Sequence, residues 1–149
     1  MIIQVISAFF ATAAFAVLFY LPRKYILHAG MTGAFGWFIY LLVMNYQLDK
    51  SYANLCATLF VALASHILAR IYKTPVTMFL IPGIIPLVPG AGMYQIVQSI
   101  LYNEDGKAIE YFFETFKMAG AIALGIFIID TVFRGIKFKK KGLSSRPKI

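Results

Sequence analysis

Charge is scarce in this 149-residue sequence. Only 13% of its residues are Asp, Glu, Lys or Arg, against about a quarter in a soluble domain. Acids are scarcer still, six in all, and there are two histidines and one cysteine. A single thiol, Cys56, excludes an intrachain disulfide and any multi-cysteine metal site. GxSxG, the P-loop, HExxH and any paired histidine–cysteine arrangement are also absent. With so few titratable groups to cluster, a membrane hydrolase or phosphotransferase is not expected. The reading is of a non-enzyme with no metal and no cofactor.

What fills the chain instead is hydrocarbon. Hydrophobic residues make up 60% and the mean hydropathy is +0.77, which excludes both a soluble globular domain and disorder. The expected fold is an all-α integral membrane bundle without a separate soluble domain. A bilayer core of about 30 Å needs about 20 apolar residues as helix. Five runs approach this, at residues 2–21, 29–45, 52–69, 76–102 and 118–133, and together they make a transmembrane domain over 1–133. The first run has no positive n-region and is longer than a signal-peptide core, and Arg23 and Lys24 follow it. It reads as a retained span with its N-terminus outside.

The basic excess belongs to the tail. Residues 134–149 hold seven of the fourteen bases and no acid. Such a tail can meet nucleic acid or anionic lipid; behind a hydrophobic span the lipid-facing, topology-setting reading is preferred, and no nucleic-acid partner is expected. Five crossings put eleven bases on the cytoplasmic side and three outside, whereas a re-entrant fourth run gives eight against six. The positive-inside rule therefore selects five crossings, with the C-terminus cytoplasmic. Tyr20, Tyr25, Tyr46, Tyr52, Tyr72, Tyr102 and Tyr111 fall near the expected span ends, where amphipathic rings sit. Residues 103–117 carry Ile109, Phe112, Phe113 and Phe116 at helical spacing, with Asp105 as expected N-cap. They read as an interfacial helix or an outward extension of the last span; an extracellular gate or a partner contact is the functional alternative.

The fourth run is interrupted. Ile81-Pro82-Gly83-Ile84-Ile85-Pro86-Leu87-Val88-Pro89-Gly90-Ala91-Gly92 holds three prolines and three glycines. Each interior proline removes a backbone donor and crowds the carbonyl four residues back, and glycine loosens the chain. The peptide groups so freed cannot face lipid; they are buried in protein or line a wet cavity. Broken helices in transporters place such groups at a substrate or ion site. Amides near Gly90 to Tyr94, at the start of the second half-helix, would serve an anionic group. Pro82, Gly83, Pro86, Pro89, Gly90 and Gly92 are expected to shape the site, with Tyr94, Gln95 and Gln98 against the solute. A kink satisfied by neighbouring helices, with the glutamines bonding between helices, is the bland counterpart.

His66 and Asp130 are secondary candidates for proton coupling, being ionisable groups in apolar runs. Each also has a bland reading, His66 as a packing histidine and Asp130 as the i,i+4 partner of Arg134. Asn45 and Asn54 are expected to be solvated or capping. Gly30, Gly33 and Gly36, with the Ala121/Gly125 and Ala119/Ala123 pairs, mark faces where helices approach closely, and such faces are compatible with self-association.

Pro75, the segment from Ile81 through Gly90, and Tyr94 resemble the hallmark of the threonine/serine exporter family. The whole chain is similar to that family's small five-span membrane subunit. The resemblance implies a multi-pass exporter in the bacterial inner membrane. It implies a separately encoded larger subunit with five spans of its own and a soluble N-terminal region, the two halves being fused in other members. It implies threonine- or serine-type amino acids as solute, or a dicarboxylate such as succinate. Two five-span halves would face opposite ways and enclose the site between them. Coupling to the proton gradient is expected. A scaffold that stabilises a partner transporter is the alternative, and an ion channel a third reading.

Overall fold

The structure, a computed structural model, describes the backbone of residues 1–144 and the side chains of residues 1–135. Most of the basic tail expected at 134–149 thus lies outside the described side chains. Helices α1 (Ile2–Leu18), α2 (Arg23–Asn45), α3 (Lys50–Tyr72), α4 (Thr77–Ile84), α5 (Gly90–Leu101) and α6 (Asp105–Ser144) follow one another, with a 3-10 turn at Ile85–Leu87 between α4 and α5. No strand occurs among the described residues.

The breaks are shorter than the runs of polar residues imply. Pro22 stands just before α2, where its fixed φ and missing donor do no harm. Lys73 ends α3 in the left-handed conformation, and Asn103 does the same in the turn before α6. Residues 105–117 belong to one continuous helix with the last apolar run, so they extend it and are no separate interfacial helix. Glu104, not Asp105, precedes the first helical residue.

α2, α3 and the Asp105–Gly135 part of α6 are long and apolar enough to cross a membrane; α4 and α5 make a fourth span if the bent pair counts as one. α1, with 17 residues, spans only about 26 Å as helix. By length and composition, three or four of the expected five spans qualify.

Close helix contacts fall where the small residues are. A Cβ on Gly33 would overlap the Thr12 side chain, one on Gly36 would overlap Val61, and one on Gly30 would come 2.8 Å from the ring of Phe9. Gly125 similarly abuts Thr58, and Gly83 abuts Val61 and Thr32. Removing Cβ lets backbones approach, the usual route to tight packing in lipid. One core cluster gathers Tyr25, Ala29, Ala69 and Phe79; another gathers Ala57, Val61, Leu87 and Ile122. Tyr25 is therefore a core ring, packed edge-on to Tyr72 and Phe79, and no part of an aromatic belt. Tyr20, Tyr46, Tyr52 and Tyr102 are exposed as a belt requires.

α3 and α6 run parallel. Lys50 pairs with Glu114, Thr58 lies against Gly125, and His66 faces Asp130. The chain leaves α3 at one end of the bundle and begins α6 beyond the other, so α4, the turn and α5 together carry it across. Asp105 lies nine residues before Glu114, and the paired α5 and early α6 therefore reach about 13 Å past the start of α3. α5 packs chiefly on α6.

Candidate functional site

The break falls at two residues. α4 absorbs Pro82 within its length, and the 3-10 turn carries Pro86. Val88 is extended (ψ 129°) and Pro89 is non-helical (ψ 55°) before α5 restarts at Gly90. The axes on either side are bent by 48°. The restart leaves donors open. Gly90 N–H bonds to the Val88 carbonyl and Met93 N–H to the Pro89 carbonyl, while the Ala91 and Gly92 amides have no backbone acceptor among the described residues, as at any helix start.

Those amides border a cavity of about 270 Å3 lined by Trp37 and Tyr40 of α2, Lys50 and Asn54 of α3, Pro86 to Gly92, and Gln95, Glu114 and Met118. It lies within a turn or so of the start of α3, towards one end of the bundle. Lys50 Nζ and Glu114 Oε1 are 2.6 Å apart, and their side chains are half-exposed. Asn54 is 2% exposed, so it is neither solvated nor a cap, contrary to expectation. Its amide makes no hydrogen bond to another described residue and opens on the cavity. Trp37 stacks on Tyr40 at 4.9 Å.

The residues expected at the site divide by location. Pro86, Pro89, Gly90, Gly92 and Gln95 line the cavity. Gln98 and Gln95 line a second, polar recess of about 370 Å3 with Ser99, Tyr102, Glu104, Lys107 and Tyr111. Pro82 and Gly83 are buried in the packing of α4 on α2 and α3. Gly92 also admits Thr115 against the α5 backbone. Tyr94, 67% exposed, lines neither recess. Lys50, Asn54, Glu114, Trp37 and Tyr40 were not legible as site residues from sequence. Each lies near a run boundary or in an apolar stretch, and only the parallel pairing of α3 with α6 brings the two charges together.

His66 and Asp130 do meet, at 3.6 Å. Asp130 also takes the Arg134 guanidinium at 2.7 Å, its i,i+4 neighbour. The His66 ring stacks on Phe133, with Arg70 on the same ring. His66 is twelve residues along α3 from Asn54, about 18 Å, so this cluster stands apart from the cavity.

Apolar helices packed through glycines, with a cavity at a proline break, define a polytopic helical membrane protein. The family described as Threonine/Serine exporter, ThrE, matches residues 4–132, and the chain belongs to that family. A threonine/serine exporter of Corynebacterium glutamicum is 26% identical over 134 residues, covering 90% of this chain and 27% of that protein. The chain thus spans about a quarter of the length of the curated relative it matches. No solved structure matches it.

Proposed function

We propose that this chain is the small membrane subunit of a secondary exporter, working with a larger subunit of the same family in a bacterial inner membrane. Its solute is a small polar metabolite, a threonine- or serine-type amino acid or a dicarboxylate. The observation that carries this reading is the cavity at the Val88–Pro89 break. It joins two amides and an Asn54 side chain that have no hydrogen-bond partner among the described residues to an accessible ion pair, in a volume suited to a metabolite of that size.

A five-span topology, with α4 and α5 as one broken span, is supported by the parallel course of α3 and α6. Orientation is supported by charge. Arg23, Lys24, Arg70, Lys73 and Arg134 gather at one end with a single acid, Asp130; Lys50, Lys107 and Lys117 stand towards the other with five acids. The positive-inside rule makes the first end cytoplasmic and the N-terminus external. Partnership is supported by exposed Tyr94, Val97, Leu101, Phe112, Phe113 and Phe116 along α5 and early α6. Large apolar faces of this kind mark contact surfaces or lipid. His66 and Asp130, held between α3 and α6 at the basic end, are the proton-coupling candidates.

The test is export from cells lacking the chain and complemented with Gln95→Leu and Gln98→Leu together, at equal membrane abundance. The reading predicts lost efflux of the accumulated metabolite. Wild-type efflux removes both glutamines from the mechanism, and full efflux without the chain, from the partner alone, makes it a scaffold.

A further inference from the structure

We infer that the Lys50–Glu114 pair is the specificity element of the cavity, opening to take a zwitterionic α-amino acid and refusing a dicarboxylate. This rests on the exporter reading and narrows its solute class. The two charges come from different helices, 64 residues apart in sequence, and meet at 2.6 Å on the cavity wall. Both side chains are partly exposed, 50% and 37%, and an ion pair in that setting is held only weakly. A zwitterion can exchange into it without changing the charge count. Its carboxylate takes Lys50, together with the unpaired Ala91 and Gly92 amides at the start of α5. Its ammonium takes Glu114. Each protein charge keeps one opposite charge throughout.

A dicarboxylate offers nothing to Glu114. It would displace Lys50 from that carboxylate and put a second negative group in its place, leaving Glu114 with a like charge and no counter-charge. Among the described residues, Lys50 is the one basic residue in the lining. Asn54, Gln95 and Tyr40 supply further polarity. The buried Asn54 amide, without a partner among the described residues, can both donate and accept and so suits a hydroxyl-bearing side chain.

Trp37, the only tryptophan of the chain, lines the cavity and reports occupancy by its fluorescence. The full chain in lipid nanodiscs is titrated with L-threonine, N-acetyl-L-threonine, L-threonine methyl ester and succinate. Threonine is expected to shift Trp37 emission at concentrations at least tenfold below the other three. Glu114→Gln should bring N-acetyl-threonine within about threefold of threonine, and Lys50→Gln should do so for the ester. The exchanged double variant, Lys50→Glu with Glu114→Lys, keeps the pair and should keep the rejection of succinate; the opposite selectivities of the two single variants are what separate recognition from a merely structural role. Succinate binding as tightly as threonine overturns the inference. So does unchanged discrimination in Glu114→Gln, or no response to any of the four, since an occupant must displace solvent beside the indole. Efflux from cells is read in parallel. Efflux that depends on the chain, without discrimination at Trp37, sinks this inference and leaves the exporter reading standing. Discrimination without dependent efflux does the reverse.

Discussion

Asn54 separates function from stability more sharply than any other residue. Asn54 lines the cavity and makes no hydrogen bond to another described residue, so Asn54→Leu breaks no bond and should leave thermal stability unchanged or raise it while efflux falls at least tenfold. Melting in detergent and efflux at matched abundance check the two halves; a destabilised variant would mean that the amide is structural. Glycines give the opposite pattern. Gly33→Ala would drive a methyl into Thr12 and should cost about 1–3 kcal/mol by overpacking. Gly120→Ala meets nothing within 4 Å and should be neutral or slightly stabilising, because alanine is the better helix former. Gly33 could be singled out from the sequence by its spacing with Gly30 and Gly36. Asn54 could not, because nothing in an apolar run near a boundary says which way one amide turns.

Among the elements, the α4–α5 pair carries the proposed solute site. Its irregularity was legible, since three prolines and three glycines in an apolar run leave few regular solutions. The place of the break was not. Pro82 is accommodated inside α4, and the bend waits until Val88 and Pro89, where the run of Pro86 and Pro89 denies two successive turns their donors. Pro89→Ala should lower the 48° bend by letting α5 continue the axis of α4. Spin-label distances between positions 80 and 98 should lengthen and efflux should fall; an unchanged distance would assign the bend to tertiary packing instead. Paired cavity and charge residues were missed for a related reason. Run lengths give the number of helices but not which neighbours lie parallel, and Lys50 meets Glu114 only because α6 follows α3 in the same sense.

At the scale of the molecule, charge and hydropathy set the membrane class and the orientation that we propose. With Cys56→Ser as background, Glu104→Cys should react with a membrane-impermeant maleimide added to intact cells, and Lys73→Cys should react only after the inner face is opened. The reverse pattern would invert the topology. The central claim is that the break holds the solute, and protection of one residue beside it tests that claim most directly. Ala91→Cys in the same background lines the cavity. In membranes containing the full exporter, saturating L-threonine should slow its maleimide labelling several-fold, while labelling of an exposed Leu101→Cys stays constant. Equal labelling of Ala91→Cys with and without threonine would contradict a solute site at the break.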